Sequence, residues 1–203
     1  MTTIVLATGN PHKVKEIEAA LAPYDFTIKR QTDFFSDEIE EDGLSFIENA
    51  LKKARYASKR TGLPALADDS GLEVDFLKGQ PGIYSARYAD GYLGQPASDR
   101  LNSQKLLDEL KGIPFKDRKA CYYCAMVFVR HEFDPIPILG TGQWCGEVLM
   151  EPRTDYGVGY DPIMWMPDYF KSAAEIPMNI KNQVSHRAQA LQSVLNQLQQ
   201  ATL

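Results

Sequence analysis

The chain has 203 residues, of which 44% are hydrophobic and 24% charged, and its formal net charge at pH 7 is −5. This composition is typical of one globular domain with a substantial core, and the net charge gives a long polyanion such as duplex DNA no overall attraction. No apolar run approaches the length of a bilayer span and the N-terminus lacks a signal-peptide pattern, so we expect a cytoplasmic protein without a nucleic-acid or membrane partner.

The N-terminal segment predicts a strand, a turn and a helix. The β-branched and apolar run Thr3–Ala7 ends in Thr8-Gly9-Asn10, after which Pro11 opens a helix with apolar residues at helical spacing. Backbone N–H groups at such a helix start form a ready anion site. Lys13 lies in the first turn, where a cation is unfavourable unless an anion is near. A solvated lysine after a tight turn is the alternative.

An acidic segment and a helix follow a second candidate strand at Phe26–Lys29. Residues 36–42 carry five carboxylates, which is typical of a solvated loop but also supplies the hard oxygen ligands that magnesium prefers. The segment Leu44–Arg60 predicts a helix that begins with a Ser45/Glu48 capping box and ends at Gly62. Its apolar residues Leu44, Ile47, Leu51 and Ala54 share one face.

The most informative stretch is Ala67-Asp68-Asp69-Ser70-Gly71, which directly follows the apolar run Leu63–Leu66. A carboxylate in a buried strand costs several kcal/mol without a partner, so a lysine, another cation or a metal should lie close. A polar turn between two strands is the alternative, because Asp, Ser and Gly are turn formers.

The middle of the chain reads as a loop, a helix and two strands. A glycine- and proline-rich loop covers Gly79–Tyr88, a helix is predicted over Pro96–Leu110, and the β-rich runs Lys119–Arg130 and Ile136–Leu149 predict an antiparallel pair. Cys121 and Cys124 have the spacing of a redox or zinc motif. In a strand, however, they point to opposite faces, so we expect reduced core and sheet cysteines.

A second glycine-rich turn and a final helix complete the chain. Gly157–Pro162 lacks the strand–GxGxxG–helix context of a dinucleotide fingerprint, but its glycines permit close backbone approach to a ligand. Ser185 is a good N-cap for a helix that spends its first turn on His186 and Arg187. A positive charge is unfavourable at a helix N-terminus, so His186 and Arg187 would be explained by a ligand with hydrogen-bond acceptors bound there. A surface His-Arg pair is the alternative.

Six motifs occur in order along the chain: Thr8-Gly9-Asn10 with Lys13, Phe46–Ala50 with Lys53, Ala67–Leu72, Pro81–Tyr88, Gly159–Pro162 and Ser185–Arg187. Together they closely resemble the inosine triphosphate pyrophosphatase family, the house-cleaning enzymes for deaminated purine nucleotides. Each motif is weak alone, and the ordered set covers the chain from Ile4 to about Leu198.

The resemblance implies an α/β fold with a long central mixed β-sheet flanked by helices. It also implies that residues 1–203 form a single domain of two lobes, with an active-site cleft between them, and that the protein is a homodimer. The implied activity is the magnesium-dependent hydrolysis of inosine, deoxyinosine and xanthosine triphosphates (ITP, dITP and XTP) to the monophosphate and pyrophosphate.

The resemblance also implies roles for individual residues. The catalytic residue is Asp69, as general base, and the metal ligands are Asp69 and Glu40, with Glu41 as the alternate. The triphosphate is cradled by Thr8, Gly9, Asn10, Pro11, His12, Lys13 and Lys53. Other substrate contacts come from Ser70 and, around the base, from Val158, Gly159, Tyr160, Asp161, Lys181, His186 and Arg187.

Elementary chemistry agrees with these roles. Cleavage of a phosphoanhydride mainly requires charge neutralisation and an aligned water, and magnesium is usually held by one or two carboxylates plus substrate phosphates. Donors from His186 and Arg187 suit the 6-oxo group of a deaminated purine and oppose the amino group of adenine.

One departure from the family pattern concerns the base. The family usually has Phe at the position of Val158, where it stacks on the base, and stacking contributes about 1–3 kcal/mol. Either Tyr156 or Tyr160 substitutes for it, or the affinity for the base is lower. Two other readings stay open: a related pyrophosphatase for modified pyrimidine nucleotides, and a catalytically silent nucleotide-binding module.

Overall fold

The computed structural model describes residues 2–37 and 39–200. Strands within this part form a seven-stranded sheet in the order β2-β1-β3-β4-β5-β6-β7. The strands are β1 Thr2–Leu6, β2 Phe26–Arg30, β3 Ala65–Val74, β4 Lys119–Val129, β5 Ile138–Val148, β6 Met164–Met166 and β7 Lys171–Ser172. The helices are α1 Pro11–Leu21, α2 Phe46–Thr61, α3 Asp99–Glu109, α4 Met178–Val184 and α5 His186–Gln200.

The sheet is mixed, as predicted. β1 pairs in parallel with β2 and β3, whereas β6 pairs antiparallel with β5 and β7. β4 and β5, the two long β-rich runs of the sequence, are neighbours in the sheet. The predicted α/β fold with a long sheet and flanking helices is therefore confirmed.

The chain divides into two compact units. Unit 1 contains the described residues of Met1–Asp69, Cys124–Gln143 and Asn182–Leu203, and unit 2 contains Ser70–Tyr123 and Trp144–Lys181. The division follows Asp69 inside β3. None of the helices in the described part of the chain has the length and apolar character needed to cross a membrane.

The core of unit 1 has two layers, because side chains alternate along its strands. On one face, Ile4 and Leu6 of β1 pack with α1 and α5 through residues such as Ile17 and Leu195. On the other face, β1 and β3 pack against the small residues of α2, which are Ala50, Ala54 and Ala57. These alanines let the helix approach the sheet closely.

The predicted N-cap Ser45 and C-cap Gly62 of α2 are confirmed, but the capping box is only half formed, because Glu48 accepts from the Leu44 amide and the Ser45 hydroxyl and not from the Ser45 amide. The predicted apolar face is only partly the buried one. The Ser45 hydroxyl accepts a hydrogen bond from the Glu48 amide at 3.2 Å, and Gly62 ends the helix in the left-handed conformation (φ +70°). The core takes the alanines, whereas Leu44 and Ile47 are exposed. The sheet lies close to this side of α2, so only small side chains fit between the helix and the sheet.

Unit 2 contains a feature that the sequence did not indicate. Cys121 of β4 and Cys145 of β5 form a disulfide, with their Cα atoms 4.0 Å apart. The expectation of reduced cysteines is therefore wrong for this pair, whereas Cys124 is a free, buried cysteine. The spacing of Cys121 and Cys124 gave no sign of the bond between Cys121 and Cys145. That bond depends on how the neighbouring strands β4 and β5 are aligned.

Candidate active site

Two adjacent buried carboxylates lie in strand β3, in the part of it that belongs to unit 1. Asp68 and Asp69 are only 1% and 6% exposed and belong to strand β3, so the polar-turn reading of this stretch is wrong. The expected cations are present and come from the protein itself. The two carboxylates differ in the cations that contact them.

Asp68 is bound by a lysine and an arginine from two helices. One of its oxygens lies 2.9 Å from the Lys13 ammonium of α1 and 3.2 Å from the Arg187 guanidinium of α5. Arg187 also pairs with Glu16 at 2.5 Å. Burial alone would raise the pKa of Asp68, but the charges of Lys13, Arg187 and Lys53 outweigh it and hold that pKa well below its usual range.

Asp69 shares one lysine with the acidic segment. The Lys53 ammonium of α2 lies 3.2 Å from Asp69 and 2.7 Å from Glu41, and the Asn49 amide donates to Asp69 at 3.1 Å. Burial raises the pKa of Asp69, and Glu41 adds to the rise while Lys53 opposes it. A carboxylate with a raised pKa is a better proton acceptor, which suits the predicted general base.

A glycine brings the acidic segment to this site. The Gly43 amide donates to Asn49 at 2.9 Å, and a Cβ at Gly43 would lie 2.7 Å from the same Asn49 oxygen. A side chain there would push the segment away from α2. Gly43 and Asn49 therefore position Glu41 relative to Asp69, and sequence reasoning gave neither of them this role.

The two metal candidates of the acidic segment differ in their surroundings. Glu41 is partly buried against Lys53, whereas Glu40 is exposed. Glu38 of the same segment lies outside the described residues. No cluster of three or more His, Cys, Asp or Glu side chains suited to a metal occurs among residues 2–37 and 39–200. Asp69 and Glu41 are nevertheless two hard oxygen donors on either side of one ammonium, which fits a magnesium ion that takes its other ligands from substrate and water.

The turn before α1 is organised by Asn10. Its side-chain oxygen accepts from the amides of His12 (2.9 Å) and Lys13 (3.3 Å), and its own amide donates to Thr8 at 3.2 Å. Pro11 occupies the first helical position. Gly9, Asn10, Pro11 and His12 are exposed, so this predicted phosphate-binding segment is accessible to a ligand. Lys13 is turned inward to Asp68.

The helix start at Ser185 is capped as predicted. The Ser185 hydroxyl accepts from the Ala188 amide at 3.2 Å, and α5 begins at His186. The unfavourable cation in its first turn is offset by acidic side chains of the protein, because Arg187 pairs with Asp68 and Glu16. Sequence reasoning had expected an acceptor from a ligand. The sequence therefore indicated a cation near Asp68 but not that Arg187 would supply it, and it gave no sign of Glu16.

Several of the predicted base-binding residues are collected in unit 2. Asp161 accepts from the Tyr122 hydroxyl at 2.9 Å and pairs with Lys181 at 2.5 Å. The backbone of Gly159 is held from α3, since its amide donates to Asp99 at 2.7 Å and its carbonyl accepts from Ser103 at 3.2 Å. These bonds fix the glycine-rich turn in place.

The aromatic candidates near Val158 differ in accessibility. Tyr160 is buried and its hydroxyl donates to the Ser85 carbonyl at 2.8 Å, so it belongs to the packing of unit 2. Tyr156 and Val158 are exposed. Ser70, the residue after the acidic pair, is partly buried in β3. Of the two tyrosines, Tyr156 is the accessible one.

Comparisons with known proteins give the family of this chain. Residues 4–197 match the model of the Ham1 family. The chain belongs to the Ham1 family. A dITP/XTP pyrophosphatase from Vibrio parahaemolyticus is 50% identical over 202 residues, which cover 100% of this chain and 99% of that relative. The resemblance seen in the six motifs is thereby confirmed.

Solved structures give the same result for the fold. A HAM1 protein from Coxiella burnetii superposes with a TM-score of 0.88 at 42% identity, covering 98% of this chain and 100% of the other. A nucleoside-triphosphatase / dITP/XTP pyrophosphatase from Mycobacterium abscessus has a TM-score of 0.75 at 36% identity, covering 96% and 99%. The Ham1 structures thus share this chain's fold over almost its whole length.

Proposed function

We propose that this chain is a nucleoside triphosphate pyrophosphatase that hydrolyses the deaminated purine nucleotides ITP, dITP and XTP to the monophosphate and pyrophosphate. It thereby removes them from the nucleotide pool. Membership of the Ham1 family, and a full-length relative that is a dITP/XTP pyrophosphatase, support this activity. The observation that carries it is the buried pair Asp68 and Asp69, held by Lys13, Lys53 and Arg187.

The phosphates are bound by the N-terminal turn and two lysines. Thr8–Lys13 offers backbone amides and a helix start, and Lys13 and Lys53 offer positive charge. Both lysines contact carboxylates of the protein, so a triphosphate exchanges one set of anionic partners for another. Before substrate arrives, the carboxylates hold the two lysines in position. The positive charge that neutralises the phosphates is therefore pre-organised.

Asp69 accepts the proton of the attacking water. The water oxygen bonds to the α-phosphorus, the bond from that phosphorus to the bridging oxygen breaks, and pyrophosphate leaves. Burial raises the pKa of Asp69, which favours proton acceptance, and Asn49 fixes its orientation.

Asp69 and Glu41 are the residues that would hold magnesium, with Glu40 as the exposed alternate. The ion, when bound, neutralises charge on the phosphates. Lys53 lies between these two carboxylates and would supply positive charge to the phosphates.

The residue roles implied by the sequence give two sets of side chains that bind the base. His186 and Arg187 present donors, Asp161 and Lys181 form a charged pair, and Val158, Gly159 and Tyr160 supply the glycine-rich turn. Ser70 contacts the substrate from β3. Donors favour the 6-oxo group over an adenine amino group. Tyr156 is the accessible aromatic side chain for stacking, because Tyr160 is buried.

The remaining features belong to the same proposal. Residues 1–203 act as one functional domain, the protein works in the cytoplasm as a homodimer, and its partner is a free nucleotide rather than nucleic acid. The net charge of −5 supports the last point.

One assay tests the activity. Pyrophosphate release is measured with ITP, dITP and XTP beside the four common nucleoside triphosphates, with magnesium and with excess chelator. We expect fast release from the deaminated purines, slow release from adenosine triphosphate, and loss of activity in chelator. Fast release only from modified pyrimidine nucleotides would favour the related pyrophosphatase, and binding without release would indicate a silent module.

A further inference from the structure

Tyr122 of β4 is a buried tyrosine whose hydroxyl contacts a carboxylate of the proposed base site. The residue is only 7% exposed, and its hydroxyl donates to Asp161 at 2.9 Å. A buried hydroxyl needs a hydrogen-bond partner, whereas phenylalanine would fill almost the same space without that need. The contact with Asp161 is therefore more than packing requires.

Aromatic neighbours hold the Tyr122 ring in place. Trp144 of β5 stacks on this ring, with the centroids 6.3 Å apart and an interplanar angle of 27°, and Tyr169 meets the Trp144 ring edge-on at 6.5 Å. The disulfide between Cys121 and Cys145 joins β4 to β5 at the residues directly beside Tyr122 and Trp144 in the sequence. The hydroxyl is thus presented from a fixed direction, which is what a supporting residue of a site must provide.

Asp161 has both of its oxygens engaged by side chains of the protein. Tyr122 donates to Oδ1, and the Lys181 ammonium lies 2.5 Å from Oδ2. The side chains of Asp161 and Lys181 are 13% and 15% exposed, so part of this pair is accessible to a ligand. Tyr122, Asp161 and Lys181 all belong to unit 2, so the arrangement is complete within one compact body.

The Tyr122 hydroxyl is a lasting donor in this contact. Burial and the negative charge of Asp161 raise the pKa of Tyr122 well above its usual value, so the hydroxyl keeps its proton at neutral pH. An ionised carboxylate only accepts hydrogen bonds, so the direction of the contact is fixed. One oxygen of Asp161 is therefore already occupied before any ligand binds.

An unoccupied carboxylate beside the base would oppose the proposed specificity. Because a carboxylate only accepts, it would attract the exocyclic amino groups of adenine and guanine. Hypoxanthine and xanthine instead carry oxo groups, which need donors. Occupying Asp161 from within the protein removes the attraction for amino groups, and the Lys181 ammonium has further N–H donors for an oxo group.

We propose that Tyr122 is a positioning residue that sets base selectivity by occupying one oxygen of Asp161. Its hydroxyl takes the place that an amino group would otherwise bind, and it orients Asp161 so that Lys181 presents its ammonium to an oxo group. This inference rests on the proposed function, in which Asp161 and Lys181 bind the base, and it adds a residue that acts through Asp161.

The test is Tyr122→Phe, which removes the hydroxyl and keeps the ring that packs on Trp144. Pyrophosphate release is measured with ITP and with adenosine triphosphate over a range of concentrations. We expect the ratio of kcat/KM for ITP over adenosine triphosphate to fall about tenfold, because the released oxygen of Asp161 accepts the amino group. The KM for ITP should rise while its kcat stays within about twofold, since the hydroxyl acts on the base and not on the reacting phosphate.

A double variant shows whether Tyr122 acts through Asp161. Tyr122→Phe in an Asp161→Asn background should change the ratio by less than about twofold, because the carboxylate that the hydroxyl occupies is gone. The matched control is Tyr92→Phe, which removes another tyrosine hydroxyl that donates to a carboxylate of unit 2, that of Asp108. This control should keep the wild-type ratio and KM. Circular dichroism at the assay temperature would establish that each variant is folded.

An unchanged ratio in Tyr122→Phe, or a fall that adds in full to that of Asp161→Asn, would overturn the inference. Equal slowing of both substrates would overturn it as well, because a purely structural hydroxyl affects every nucleotide alike.

A binding measurement separates this inference from the proposed function. Calorimetry with inosine and adenosine monophosphates reports base preference without turnover. A wild type that prefers inosine monophosphate but does not hydrolyse ITP would refute the proposed function, and loss of that preference in Tyr122→Phe would leave the inference standing. Hydrolysis of ITP with the same base preference in wild type and Tyr122→Phe would do the reverse. A wild type without base preference in either assay would refute both.

Discussion

At the scale of single residues, the two buried aspartates differ in the cations that contact them. Asp68 is bound by Lys13 and Arg187, so its charge is compensated from two helices. Asp69 shares Lys53 with Glu41 and is slightly more accessible. The first arrangement suits the positioning of cations, and the second suits a group that must exchange a proton and a metal ion.

We expect Asp69→Asn to abolish turnover while the protein stays folded. The amide cannot accept the proton of a water and is a poor metal ligand, so pyrophosphate release from ITP should fall at least about 10²-fold. Loss of one buried charge should change the unfolding temperature little, because Lys53 keeps Glu41 as a partner. Asp75→Asn, at the exposed residue that directly follows β3, is the control and should have normal activity. Retention of a tenth or more of wild-type activity in Asp69→Asn would exclude the role.

Base selection and phosphate binding should separate in two other variants. Arg187→Ala should narrow the preference for ITP over adenosine triphosphate by about 1–3 kcal/mol in relative kcat/KM, because a donor to the 6-oxo group is lost. Lys53→Ala should slow both substrates by a similar factor, since its charge acts on phosphate. The ratio of the two substrates is the right readout because Arg187→Ala also removes a partner of Asp68 and lowers stability. Equal slowing of both substrates in Arg187→Ala would reassign the residue to the phosphates.

The residue-scale chemistry could be predicted from sequence only in outline. An acidic pair after an apolar run implies a nearby cation, and Lys13, Lys53 and Arg187 were all candidates. Which lysine contacts which aspartate depends on how α1, α2 and α5 pack around β3. That packing also brought Glu16 to Arg187, a pairing between residues far apart in the chain that no local pattern could reveal.

At the scale of elements, the helix caps could be predicted from the sequence, whereas the buried side of a helix was harder to predict. Ser45, Gly62 and Ser185 act through bonds to residues a few positions away, and all three cap as expected. The buried side of α2 was harder to predict because its alanines and its leucine–isoleucine stripe both have helical spacing. The close approach of the sheet selected the alanines, and that distance is a property of the whole fold.

The turn between β4 and β5 should make stability depend on acid pH through Asp134. Hydrogen bonds from Arg130, with the backbone amides of Arg130 and Ile136, hold the pKa of this buried carboxyl well below its usual range. A pKa lowered in the folded state contributes stability above the unfolded pKa of about 3.9 and loses it as the pH falls further. Asp134→Asn should therefore lower the free energy of unfolding by about 1–3 kcal/mol at pH 7. The difference from wild type should shrink below pH 4, and a gap that stayed constant with pH would contradict the charged role.

The disulfide between β4 and β5 should stabilise the protein under oxidising conditions. It closes a loop with a sequence separation of 24, for which restriction of the unfolded chain predicts about 3 kcal/mol. Cys145→Ser should unfold at lower denaturant than the wild type without reductant, and the two proteins should converge when reductant is added. Cys145 is exposed, so the substitution itself creates no cavity. Identical unfolding of both proteins under oxidising conditions would show that the bond contributes nothing.

At the scale of the whole molecule, the charge distribution favours a free nucleotide over a nucleic acid as the proposed substrate. The chain carries 22 Lys and Arg against 27 Asp and Glu, and the cations Lys13, Lys53 and Arg187 are engaged by carboxylates of the protein. A free triphosphate is small enough to replace those carboxylates locally. A duplex needs a continuous run of available cations, because its affinity comes from the release of many counterions.

The protein should therefore act on free dITP and ignore deoxyinosine inside DNA. A labelled duplex with one deoxyinosine should bind no more tightly than on the order of 10⁻⁴ M at physiological salt, which is the weak end of non-specific binding. Fluorescence anisotropy would measure this affinity at low and at physiological salt, with an undamaged duplex of the same length as the control. Excess duplex should leave pyrophosphate release from dITP unchanged. Micromolar binding that weakens steeply with salt, or inhibition by the deoxyinosine duplex alone, would mean that the cations of unit 1 are available to a polyanion after all.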